Sequence, residues 1–107
     1  MIQHIVMWRF ADEAEGLDRA ANMALVRERL LALVDVIPEI KAFEVGRDLS
    51  RTAMSYDMVL VSDFESLEDL NTYKVHPAHV AVADYVKKVT EARVVLDAAY
   101  GEDGKLL

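Results

Sequence analysis

Ile2-Gln3-His4-Ile5-Val6-Met7-Trp8-Arg9-Phe10 is an unbroken run without Gly or Pro, rich in β-branched and aromatic side chains, and it reads as a strand. One face of that strand carries Ile2, His4, Val6, Trp8 and Phe10; the other carries Gln3, Ile5, Met7 and Arg9. Both faces are largely apolar, so neither is a natural solvent face. Two later stretches share this property. Tyr56 to Phe64 (YDMVLVSDF) is apolar on both sides at Met58-Val59-Leu60-Val61, and in Ala92 to Tyr100 (ARVVLDAAY) Val94 and Leu96 oppose Val95.

Around these strands, Asp12 to Gly16 reads as an acidic connector. A helical pattern runs from about Leu17 to Ile37, with Met23, Val26, Leu30, Leu33, Val34 and Ile37 at intervals of three and four. Pro38 is its natural stop. Ile40 to Asp48 alternates as a strand, and Leu49 to Ser55 is a polar loop. Ser66 is placed to cap a short helix through Leu67, Leu70 and Tyr73. Pro77 suits the first turn of a second helix reaching about Glu91. The order β, long α, β, β, short helices, β is the split βαβ arrangement of a ferredoxin-like α+β domain with a four-stranded antiparallel sheet. Its own helices can cover only one sheet face. The cheapest cover for the other is an identical copy, so a homodimer in which two sheets close into an α+β barrel is expected. Residues 1–100 form this domain, and 101–107 are expected to be a frayed tail.

A chain of 107 residues is one domain, and about 60–70% of its unfolded surface can be hidden on folding. It has 12 basic and 19 acidic residues, a net charge of −7, and no basic cluster to meet a phosphate backbone; nucleic acid is excluded as a partner. The longest apolar run, Leu30 to Val34, is far too short to cross a bilayer. No basic leader precedes the first strand, so export and membrane insertion are not expected. The lack of cysteine fits a reducing cytoplasm and removes thiolate nucleophiles and thiolate metal sites. No phosphate loop, Ser-His-Asp spacing or nucleotide fingerprint is present.

The opening His4 to Phe10, Ile37-Pro38, Tyr56-Asp57, Asp63-Phe64-Glu65-Ser66 and above all Tyr73-Lys74-Val75-His76-Pro77-Ala78-His79-Val80 together form a pattern. It resembles the stress-responsive A/B barrel family, the dimeric α+β barrel (Dabb) proteins, from about His4 to Asp97. The resemblance implies a dimeric barrel of ferredoxin-like domains. Some members resemble plant polyketide cyclases that close a ring by aldol chemistry without a cofactor, using the Tyr and second His of this segment. Carried over, those are Tyr73 and His79, with His4 facing the same pocket. A neutral imidazole can take a proton from carbon beside a carbonyl, and a phenol can steady the oxygen where charge develops. His4, Val6, Trp8, Val26, Leu30 and His76 are the expected pocket wall. Val26, Leu30, Met58, Thr90 and Arg93 depart from the cyclase-like members, so the polyketide substrate does not carry over with the pair. His76-x-x-His79 could hold a metal only with further ligands, and none can be placed; no metal and no cofactor are expected. Two readings stay open beside a cyclase, lyase or isomerase acting on a small carbonyl compound. One is a non-catalytic stress-response barrel whose Tyr73 and His79 merely satisfy the chain; the other is a cofactor-free monooxygenase-like barrel enzyme.

Overall fold

A computed structural model describes all residues, Met1 to Leu107. The first strand, β1 (Ile2–Phe10), lies inside a four-stranded sheet, flanked by β5 (Met58–Phe64) and β6 (Thr90–Ala99), with β4 (Ala42–Arg47) beyond β5. All neighbours are antiparallel. Register sets Val6 opposite Leu60, Trp8 opposite Met58 and Ile2 opposite Phe64. His4, Val6, Trp8 and Phe10 are buried on one side, under Val26 and Leu30 of α1 (Arg19–Leu31), Leu70 and Tyr73 of α2 (Leu67–Val75), and Val86 and Val89 of α3 (Pro77–Val89). No helix is long and apolar enough to cross a membrane.

The other sheet side is left open. Register aligns Ile5 with Val61 and Leu96, and Met7 with Val59 and Val94, so these six apolar side chains share one face. Leu96 is 61% exposed.

The single helix expected over Leu17 to Ile37 is broken up. Leu17–Asp18 (β3) pairs instead with Glu13–Ala14 (β2) as a small hairpin. Its turn holds Glu15 and Gly16 at φ 51° and 78°, and Gly16 occupies this left-handed region without steric cost. The Asp18 carboxylate then accepts a hydrogen bond from the Ala21 amide at 2.8 Å and starts the helix one residue later. Buried Asn22 holds the hairpin down: its amide donates to the Ala14 carbonyl and its oxygen accepts from the Tyr85 hydroxyl. α1 ends at Leu31 and tightens into a 3-10 turn, Ala32–Asp35, which lets Leu33 and Ile37 both reach the core.

Other boundaries shift for similarly local reasons. The chain bends after Pro38, with the Ile40 amide on the Ile37 carbonyl, so β4 begins at Ala42. Asp57 lies before β5 because its carboxylate is spent on the connection: it accepts from the Phe10 amide at 2.7 Å and from Arg51 at 2.6 Å. Burial pushes its pKa up, but those two donors outweigh burial and hold it below the usual carboxylate value. β6 starts early, at Thr90, and carries a bulge against Arg9 and Phe10. The tail expected to fray turns back on β6: Gly101 donates to the Lys105 carbonyl and Leu107 to that of Ala99.

Candidate functional site

Sequence dictates a sharp bend between α2 and α3. The Ser66 hydroxyl caps α2 by accepting from the Asp69 amide. The helix stops at His76, whose extended backbone (φ −61°, ψ 132°) is the conformation that a following Pro enforces. Pro77 then opens α3, and the His76 ring nitrogen Nδ1 accepts from the Ala78 amide at 3.1 Å, an N-cap made by a histidine. His76 is thereby occupied in the junction and does not border the pocket, contrary to the expectation for it.

This bend swings His79, in the first turn of α3, back over Tyr73. Their ring centroids are 4.3 Å apart, tilted by 46°. Nδ1 of His79 lies 2.9 Å from the Lys74 carbonyl, one of the unpaired acceptors at the end of α2. A carbonyl can only accept, so Nδ1 carries the proton and Nε2 presents its lone pair. Burial pushes the His79 pKa down, with the Lys74 carbonyl opposing and the charges of Arg93 and Lys74 assisting; the ring is neutral at neutral pH.

Tyr73 is fully buried, packed edge-on or tilted against Phe43, Phe64 and His4 as well as His79. Its hydroxyl has no hydrogen-bond partner. Burial drives the phenol pKa up, so the hydroxyl stays a donor. The indole N–H of Trp8 is a second buried donor without a partner. Unpaired buried donors are rare and cost about 1–3 kcal/mol each. His4 is satisfied: Nδ1 lies 2.5 Å from the Asp97 carboxylate, directly across the β1–β6 ladder. Burial lowers the His4 pKa in spite of Asp97, which makes it a neutral ring donating to a carboxylate.

The rings of His4, Trp8, Tyr73 and His79 border one cavity of about 560 Å3 between the sheet and α3. His4, Val6, Trp8, Leu30, Tyr73 and His79 line it. Val26 does not; it is fully buried in the core between α1 and the sheet. Leu60, Val80, Val82, Ala83 and Val86 add apolar wall, and Lys74, Asp84, Lys87, Glu91 and Arg93 add charge. Sequence reasoning missed Lys74, although it lies inside the Tyr73–His79 segment, and Asp97, whose partnership with His4 exists only once strand register is known. Arg93 stood out beforehand only as a departure from the cyclase-like members. No three or more His, Asp or Glu side chains converge in a way that could hold a metal ion.

The model of the stress responsive A/B barrel domain family matches residues 2–99. Olivetolic acid cyclase of Cannabis sativa is 26% identical over 90% of this chain and 93% of its own length. The stress-response A/B barrel domain-containing protein HS1 of Arabidopsis thaliana is 30% identical over 90% of this chain and 86% of its own. Among solved structures, a dimeric ferredoxin-like protein of unknown function from Bacteroides fragilis superposes with a TM-score of 0.82 at 27% identity, covering 92% of this chain and 95% of that one.

Proposed function

The chain belongs to the stress-responsive A/B barrel family, and from that premise we propose that it is a cofactor-independent cyclase, lyase or isomerase that forms an enolate from a small carbonyl compound. His79 Nε2 takes a proton from the carbon beside the carbonyl; the C–H pair becomes a carbon–carbon double bond and the carbonyl π pair moves onto the oxygen. The Tyr73 hydroxyl donates to that oxygen as its charge grows. The enolate then adds to a second carbonyl, as in ring closure, or is reprotonated at another carbon. His4, held in one orientation by Asp97, and the apolar side chains around it shape the wall.

The observation that carries this reading is the pairing of an unpartnered, permanently protonated Tyr73 hydroxyl with a neutral His79 whose tautomer is set, at the edge of a cavity larger than one ring requires. A barrel selected only for stability would gain by filling that space and pairing that hydroxyl. Kinship with a cyclase at 26% identity supports the same chemistry without naming the substrate.

We place the active form as a homodimer, with Ile5, Met7, Val59, Val61, Val94 and Leu96 covered by the same face of a second copy; the dimeric neighbour and the open apolar face support this. The cytoplasm is the compartment that suits a chain without cysteine.

The test needs no natural substrate. Deuterium exchange at the carbons flanking the carbonyl of 2,4-pentanedione and of 2-octanone, followed by NMR in D2O, should be faster with the protein than without it. The gain should be lost in His79→Ala. Equal exchange with and without the protein, or an undiminished rate in that variant, would remove the enolate chemistry.

A further inference from the structure

We infer that the carbonyl compound is an oxo acid, and that Arg93 is the residue that selects it by binding its carboxylate. This rests on the enolate reading above and adds the charge of the substrate to it. Four observations lead there. First, Arg93 lines the same cavity as Tyr73 and His79. It stands across the β1–β6 ladder from Trp8, so its side chain leaves the sheet on the cavity side.

Second, the Arg93 side chain takes part in no ion pair or hydrogen bond within the chain, unlike Arg19 with Asp12 or Arg51 with Asp57. The other cation with a partner at the cavity is spoken for. Lys74 leans toward Asp97 at 3.9 Å, while Asp84 and Lys87 of α3 and Glu91 of β6 border the cavity without an ion pair. Third, the charge of Arg93 reaches the whole cluster, opposing protonation of His4 and His79 and favouring ionisation of Tyr73. Fourth, this exposed cation borders a mostly apolar cavity in a protein of net charge −7, where a long-range field would repel an anion and only a local donor could hold one.

The geometry sets the shape of the ligand. His4 and Trp8 are four residues apart on β1, roughly 13 Å, with the Tyr73–His79 pair beside His4 and Arg93 opposite Trp8. A carbonyl at one end and a carboxylate about six bonds away fit that span once the arginine side chain reaches back. A guanidinium grips a carboxylate with two parallel N–H donors.

The experiment uses the full chain with three probes of one length: 7-oxooctanoate, its uncharged methyl ester, and octanoate, which lacks the ketone. Affinities come from titration shifts of the imidazole signals, of which the chain has only three; those of His4 and His79 should move and that of His76 should not. The native protein should bind 7-oxooctanoate at least about tenfold more tightly than the ester. Arg93→Gln should narrow that ratio to within about twofold without weakening the ester, and Arg93→Lys should retain part of the preference. Equal binding of acid and ester, with octanoate weak, would overturn the carboxylate assignment and leave the carbonyl reading intact. Octanoate binding as tightly as 7-oxooctanoate would keep the role of Arg93 and remove the carbonyl reading. A preference that survives in Arg93→Gln, or a variant that only loses thermal stability, would make Arg93 structural and sink the inference, as would no binding of any probe.

Discussion

Replacing Tyr73 by Phe should stabilise the protein while disabling it. The Tyr73 hydroxyl lies buried at the cavity wall and has no partner within the chain. Folding therefore strips it of hydration without return, at a cost of about 1–3 kcal/mol. Phe keeps the ring contacts with His79 and Phe64 and leaves a gap of roughly one oxygen atom. At about 24 cal/mol per Å3, a gap on the order of 10 Å3 costs only ~0.2–0.3 kcal/mol. The net gain is then about 1 kcal/mol. With an unfolding entropy of ~2.1 cal/mol/K per residue, 107 residues give about 0.22 kcal/mol/K, so Tm should rise by roughly 4–5 °C. Urea denaturation and thermal scans at one fixed protein concentration would measure this, since association makes stability concentration-dependent. Carbonyl-dependent deuterium exchange on the same sample should drop by about 100-fold, the scale for losing one oxyanion donor. If Tyr73→Phe proved less stable than the native protein by more than about 0.5 kcal/mol, the hydroxyl would have to be satisfied in solution, and its availability to a ligand would be refuted.

Acidification should weaken the fold and the activity together. Burial holds His4 and His79 below the ordinary imidazole value, so the unfolded chain binds more protons as pH falls; their contribution is complete above about pH 6.5 and is lost as pH drops through the lower folded values. The urea midpoint should fall between pH 7 and pH 5, and the acid limb of the exchange rate should lie below 6.5; a flat midpoint across that range would contradict the burial of both rings. His76→Ala should cost about 1 kcal/mol through the lost cap with exchange unchanged, a combination checked by measuring both on one preparation. Leu96→Glu puts a charge on the open sheet face and should turn a dimer into monomers in sedimentation, with the far-ultraviolet circular dichroism retained.

Much of this architecture can be read directly from the chain, because it depends on patterns a few residues long. The alternation of β1, the Ser66 cap and the His76-Pro77 junction are local, and each does in space what its spacing predicts. The misreadings arise where a second element decides. Leu17 and Asp18 have helical spacing with the residues that follow, yet Asn22 ties them into a hairpin through Ala14, a contact no periodicity displays. Val26 and Leu30 are one turn apart on the same helix face; only Leu30 reaches the cavity, since Val26 is taken by the core. Asp97 is silent in the sequence because its meaning comes from the strand opposite it. Tyr73 and His79 were legible as residues; the missing partner of one and the fixed tautomer of the other are properties of their surroundings.

β1 is a wall shared by two compartments. His4, Val6 and Trp8 look into the cavity, while Ile5 and Met7, each one residue along, look out of the opposite side of the sheet. Deleting or inserting one residue here would exchange the two sets at once, sending the imidazole and indole outward and two aliphatic side chains inward. Change in this strand is thus confined to replacement in place, whereas the hairpin at Glu15–Gly16 and the exposed loop tip at Ala53–Met54 can alter length without touching either compartment. A library of length variants should therefore recover folded protein from those two connections and none from within β1.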